Sequence, residues 1–231
     1  MIEPSPFTAL LARAARLYAR RWPLYVGCAI AAFALQIGID LTHLLDVRLL
    51  DLIGGIVVLP IVAAIVYGFV AHDAIGSEMP EVSVWERIAE RVWAVIVIDA
   101  ITTVFGFATP GSDFLLGLIY FTGSLILAAF LLYADVASVV EPGLSARRVV
   151  PQSILASARI AMTRLGYGRA IVLVFAQMVL TYAAISLDGV LGTRVLGLPT
   201  FGAAALFSLA TGPFAALLTV VYLELRQPPE K

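Results

Sequence analysis

Apolar residues run along this chain in six long blocks, at roughly 23–43, 51–71, 92–110, 114–137, 170–190 and 199–223, with the charged positions gathered between them. Each block is close to the ~20 residues a helix needs to cross a hydrocarbon core of ~30 Å. The pattern predicts an all-α fold: a polytopic membrane protein with six transmembrane helices in one domain over residues 1–231. The links after spans one, three and five are short and rich in Gly, Pro, Asp and Thr, as tight turns require.

A second periodicity precedes each pair of spans. Phe7, Leu10, Leu11, Ala14, Leu17 and Tyr18 recur at helical spacing, with Arg13, Arg16 and Arg20 on the opposite face. The run from Val84 to Trp93 and the run from Ile154 to Leu165 repeat the theme, and Arg159 and Arg164 keep the five-residue separation of Arg16 and Arg21. Three interfacial helices at about 7–21, 83–91 and 151–165 are expected, lying in the headgroup layer with their apolar faces down. Together they suggest a threefold repeat of interfacial helix plus transmembrane hairpin. Trp22, Trp85 and Trp93 all fall at that boundary, where an indole is favoured.

Composition agrees. The chain is 61% hydrophobic and 13% charged, against roughly half and about a quarter for a soluble domain, so lipid must cover part of it. The net charge of −1 hides an asymmetry: thirteen basic residues fall on the side of the termini, and only Arg48 and Arg194 on the other. This places both termini in the cytoplasm. Residues 1–22 and 141–169 carry four and five arginines against one acid each, which favours anionic headgroups by about 1 kcal/mol per basic residue. Residues 73–91 carry five acids against two arginines and suit a basic partner surface instead. Cys28, the single cysteine, excludes an intramolecular disulfide, and no cleavable signal peptide or nucleic-acid partner is expected.

Ionisable residues inside a span are functional candidates because an unpaired charge there costs several kcal/mol. Asp99, in span three with Thr102 and Thr103 one turn on, reads as a proton or cation relay, or as a carboxyl hydrogen-bonded or ion-paired to a neighbouring helix. It stands alone at its level. Asp135 and Glu224, near the ends of spans four and six, are within reach of interfacial arginines and are expected to form structural or gating ion pairs. Gln36 and Gln177, each mid-span, line a path or bond adjacent helices. His43 and His72 sit at opposite faces, so they cannot share a metal; either alone could ligate a haem or chlorophyll, but no cofactor is expected. No nucleophile–histidine pairing or phosphate loop is evident. In span six, Ala204, Ser208, Gly212 and Ala216 form a four-residue-spaced stripe of small side chains that permits close helix approach, toward the bundle or another subunit. Pro60 and Pro213 should kink spans two and six.

Three stretches carry a likeness to a known family: the run from Leu10 to Leu24, with Arg13, Arg16, Arg20, Arg21, Trp22 and Pro23; Tyr133-Ala134-Asp135-Val136-Ala137 followed by Glu141 and Ser153-Ile154-Leu155-Ala156-Ser157; and the closing run from Thr219 to Arg226. In these the chain resembles the six-span membrane domain found with some bacterial glycerophosphodiester phosphodiesterases, and its stand-alone relatives. The resemblance implies a bacterial inner-membrane module. The phosphodiesterase chemistry of such enzymes lies in a separate soluble barrel, and nothing here matches its acid, histidine and metal cluster.

The expectation is therefore a non-catalytic membrane module, an accessory or scaffold subunit or a lipid-interacting protein, with membrane lipids and a protein within the membrane as partners. A small transporter or lipid-handling protein using Asp99, Gln36 and Gln177 is the alternative. An intramembrane enzyme would need two converging catalytic groups at one depth.

Overall fold

Prolines and a capping threonine mark several of the helix starts in this chain. The computed structural model describes residues 5–41, 54–76, 80–107, 114–145, 147–195 and 201–226. His43, Arg48 and the links after spans one and three lie outside these residues, while the link expected from Gly189 is helical as far as Val195. Every regular element among them is helical: α1 (Phe7–Arg20), α2 (Trp22–Leu41), a π-helical turn (Gly54–Val58), α3 (Leu59–Ile75), α4 (Glu81–Phe107), α5 (Phe114–Leu131), α6 (Ala134–Val140), α7 (Val149–Ala161), α8 (Arg164–Val195) and α9 (Phe201–Arg226).

Arg21 separates α1 from α2 with φ −123° and ψ 26°. Pro23 follows in the first turn of α2, where its missing N–H would be unpaired anyway. Thr163 divides α7 from α8: its hydroxyl accepts from the Gly166 N–H at 3.0 Å and donates to the Ile160 carbonyl at 2.7 Å, an N-cap. The third interfacial helix therefore stops at Ala161, and Arg164 belongs to the spanning helix. The expected separate helix at 83–91 is not separate. α4 runs unbroken from Glu81 to Phe107, because no Gly or Pro occurs in it before Gly106. Pro60 sits at the start of α3, directly after the π-helical turn, so the irregularity there is taken up by the wide turn rather than by a mid-helix kink. Pro213 does lie inside α9.

Four stretches among the described residues are long and apolar enough to cross a membrane: Ile56–Ile75, Thr122–Val140, Arg164–Ala184 and Ala204–Arg226, with Trp22–Gly38 a shorter apolar helix. The second of these contains a break at Leu132 and Tyr133, between α5 and α6.

α9 is the hub, packing against α1, α2, α3 and α8. Its stripe of small residues is what allows this. Ala204, Ser208, Gly212 and Ala216 are all buried, and a Cβ added at Gly212 would meet the Tyr18 ring at 2.9 Å. The stripe thus faces inward and receives α1, whose Leu10, Ala14 and Leu17 enter the main core. Of the apolar face expected on α1, Leu10, Ala14 and Leu17 are covered by protein, while Phe7 and Leu11 stay exposed. The core is built around Tyr25, Phe69, Tyr133 and Tyr222, all essentially inaccessible. α7 also turns its small side inward, burying Ser153, Ser157 and Ala161 while Leu155 stays exposed.

Candidate functional site

Charged side chains from six helix ends meet at one end of the bundle, here called the basic end. Arg21 donates from Nε and Nη2 to the two carboxylate oxygens of Asp73, at 2.8 and 3.0 Å, and from Nη1 to Glu81 at 2.8 Å. Its guanidinium also stacks over the Phe69 ring, 4.8 Å from the centroid. The Asp73 hydrogen bonds, opposed by burial and aided by Glu81, hold the Arg21 guanidinium in its charged form well above the usual arginine range. A two-pronged pair of this kind fixes geometry as well as charge.

Arg91, on α4, closes the end of α6. Its guanidinium donates to the carbonyls of Ser138 at 3.1 Å, Glu141 at 2.7 Å and Leu144 at 3.4 Å, supplying donors that the last turn of a helix lacks. Burial, with Arg87 nearby, pulls its titration below the ordinary value. The Glu141 carboxylate in turn accepts from the Tyr222 hydroxyl and pairs with Arg226 Nε at 2.9 Å. On the far side of α9, Arg169 binds Glu224 at 3.2 Å and the Ser5 carbonyl at 2.9 Å, and the Ser5 N–H returns to Glu224 at 3.1 Å. The ion pair expected for Glu224 is therefore present, with Arg169 as partner.

A second constellation lies deeper. Asp99 on α4 and Asp135 on α6 are close enough to interact electrostatically, and the buried Tyr67 of α3 feels both. At 1.5 Å per helical residue, Asp99 is ~12 Å beyond Arg91, and Tyr67 is ~9 Å beyond Asp73. Among the described residues, Asp99 is the charged group that acts on Asp135. One carboxyl oxygen is buried without a hydrogen-bond partner, so the expected ion pair to an interfacial arginine is replaced by proximity to a second acid. Asp99 is not alone at its level. Thr102 does not serve it, since its hydroxyl donates to the Ile98 carbonyl of its own helix at 2.9 Å, and the Thr103 side chain is outside the described residues.

The break in the fourth apolar block brings Asp135 here. Ser157, reaching across from α7, accepts the Tyr133 N–H at 3.1 Å and donates to the Phe130 carbonyl at 2.5 Å. One hydroxyl thus satisfies a donor and an acceptor that the interrupted helix leaves open, a condition for any break at membrane depth. The Tyr133 hydroxyl donates to the Gly166 carbonyl at 3.3 Å, tying the break to the start of α8.

The remaining sequence candidates disperse. Gln36 is half-buried on α2 with Oε1 unpartnered, and Gln177 is exposed on α8, so the two amides do not line one path with Asp99. His72 is half-buried on α3, its Nδ1 buried without a partner. Arg13 reaches the Ala74 carbonyl at 3.4 Å. Arg16, Arg20, Arg159 and Arg164 are exposed, as are Trp22, Trp85 and Trp93, and Trp85 also meets Phe69 edge-on. Sequence reading passed over Arg21, Asp73, Arg91, Glu141, Arg169 and Ser157 as individuals. Asp73, Arg91 and Arg169 entered only as charges to be counted, while Arg21, Glu141 and Ser157 entered within the stretches that carry the family likeness, with no site role.

No protein-family model, curated protein or solved structure matches this chain. Among the described residues no group of three or more His, Cys, Asp or Glu side chains is placed to hold a metal ion.

Proposed function

We propose that this chain is a non-catalytic six-span module of a bacterial cytoplasmic membrane, of the type its sequence resembles, with both termini cytoplasmic. It acts as an accessory or scaffold subunit of a larger membrane complex and contacts lipid at its basic end. In this reading α2 and α4 complete the six spans; α2, with 20 residues, is ~30 Å long.

One observation carries the subunit reading. Only 28% of the Arg164–Ala184 window is buried, against 50 to 61% for the other three apolar stretches. Its outer face shows Phe175 at 64%, Val179 at 54% and Tyr182 at 75% exposure. Gln177 stands exposed among them, roughly 20 Å from Arg164 along the helix. Lipid solvates phenylalanine and valine, but leaves a mid-span amide without hydrogen bonds; a helix of another protein satisfies it.

The test is extraction in a mild detergent followed by mass spectrometry of whatever co-migrates. A stoichiometric complex that is lost in the Gln177→Leu variant is the expected result. A lone protein carrying only lipid would remove the subunit reading. A small transporter or lipid-handling protein is the second reading, favoured by Tyr67, Asp99 and Asp135 beside an interrupted helix, since transport sites use broken helices near polar groups. There, a folded Asp99→Leu protein that loses function outright is the decisive observation, whereas a packing role leaves function intact.

A further inference from the structure

Two helices at the basic end keep charges and large apolar side chains turned away from the bundle. On α4, Val82, Glu86, Glu90 and Trp93 follow one another at spacings of four, four and three and are all exposed, which places them on one helical face. On α7 and its two caps, Arg148, Leu155, Arg159 and Met162 follow at seven, four and three and are exposed as well. Val82 is 66% accessible, Leu155 57% and Met162 75%. Among the described residues, Glu86, Glu90, Arg148 and Arg159 take part in no ion pair. Arg91 acts on Glu90 only through space, its guanidinium being bound to carbonyls at the end of α6.

The two faces lie close to one level. Arg91, next to Glu90, donates to the Glu141 carbonyl at the end of α6, while Ser157 of α7 accepts the Tyr133 N–H at its beginning. α6 has seven residues, ~10 Å, so α4 and α7 grip the two ends of one short helix. They also pack against each other.

We propose that two copies of this chain pair in the membrane, the Glu86–Glu90 face of α4 on one lying against the Arg148–Arg159 face of α7 on the other. The inference rests on the proposed membrane setting, not on the partner proposed for α8. Three observations select a second copy. An anionic lipid surface suits Arg148 and Arg159 but repels Glu86 and Glu90, which at four residues apart already repel one another. Those two need a basic protein surface, and copies inserted the same way present one, α7, at the matching depth. Finally, the acidic and basic helices are neighbours within one copy, so a two-fold axis along the membrane normal makes both contacts at once, in the commonest closed symmetry. The charges set register and orientation, and Val82, Trp93, Leu155 and Met162 supply apolar area around them.

Charge counting along residues 73–91 shows only that this segment is acidic. The fold withdraws Asp73 and Glu81 to Arg21 and leaves Glu86 and Glu90 facing outward.

The test is energy transfer between donor- and acceptor-labelled copies of the full chain, tagged at the C-terminus and diluted together into dioleoylphosphatidylcholine liposomes. Transfer that persists on dilution is expected. Reversing one face, Glu86→Arg with Glu90→Arg, or the other, Arg148→Glu with Arg159→Glu, should weaken pairing about tenfold, because several exposed pairs turn from attraction to repulsion. All four sites are exposed, so both variants should keep the wild-type thermal midpoint. Mixed together, the two reversed variants should pair as wild type does, since each contact then joins a basic face to an acidic one. Wild-type transfer that vanishes on dilution, reversed variants that pair normally, or a mixture of the folded variants that stays apart overturns the inference. So does loss of transfer when phosphatidylglycerol replaces phosphatidylcholine, which would assign Arg148 and Arg159 to lipid headgroups. Gln177→Leu should leave transfer unchanged, so failure of this pairing and failure of the α8 reading are separate results.

Discussion

α8 and α9 are apolar neighbours, yet α9 is half enclosed and packs against α1, α2, α3 and α8, while α8 is the least enclosed of the four candidate spans. Their candidate windows have hydropathies of 1.4 and 1.9, with 28% and 50% of the residues buried. The difference lies in side-chain size by position. α9 lines its inner face with Ala204, Ser208, Gly212 and Ala216, so three other helices approach its backbone closely. α8 places Phe175, Met178, Val179 and Tyr182 outward, where they remain 37 to 75% exposed. In a membrane, hydrophobicity does not decide which face is inside, since lipid solvates leucine as well as protein does; size and hydrogen bonding decide.

The comparison breaks most severely at the pair that joins the two helices. Arg169 on α8 is 8% exposed and is held by Glu224 of α9. Arg169→Ala leaves a largely enclosed carboxylate without its partner, and a loss of about 3 kcal/mol is expected. The thermal midpoint in detergent, compared with wild type, measures it. Partial recovery by Glu224→Gln in the same protein would show that the unpaired charge, and not lost packing, was the cause.

Next in size is Gly212→Leu. With Tyr18 already at 2.9 Å from the added Cβ, the leucine has to push α1 away from α9, an overpacking cost of about 1–3 kcal/mol. Protease sensitivity near α1, together with the same thermal measurement, should report it. Val179→Leu on the outer face of α8 is the matched control and should change neither.

Ser157→Ala comes third. It removes the hydroxyl that serves both Tyr133 N–H and Phe130 C=O, and an unpaired buried group costs about 1–3 kcal/mol. Ser157→Thr keeps the hydroxyl and should retain more stability than alanine; equal stabilities would mean that water or backbone relaxation covers the break.

The smallest effect on stability is expected for Gln177→Leu, within about 0.5 kcal/mol for an exposed site. Its consequence is confined to what co-purifies. A loss of intrinsic stability as large as that of Ser157→Ala would place Gln177 inside the protein and undo the contrast between the two helices.

Much of the architecture was legible before the fold. The apolar blocks, the stripe in α9 and the helix start at Pro23 are local properties, fixed by donors and side-chain size, whereas the cap at Thr163 was read through as part of a helix to 165. The failures share a cause. Whether 83–91 is a separate helix depends on a break that no residue there imposes, so it continues into α4. Asp135 looked like an interfacial ion-pair partner because arginines are near it in sequence, and the break at Tyr133 turned it toward Asp99 instead. Gln36 and Gln177 each sit mid-block in the sequence, but one is half-buried and the other exposed.

Taken by itself, the sequence determined that this chain is helical and apolar enough for a membrane, and where its basic residues gather, since length, hydropathy and charge are sums over neighbouring positions. Only the tertiary structure decided which charges pair, that Leu10, Ala14 and Leu17 of α1 are buried in the core, and that Tyr67, Asp99 and Asp135 lie near one another. Those are distances between residues remote in the chain, set by how helices rotate and close against one another, and no local pattern carries that rotation.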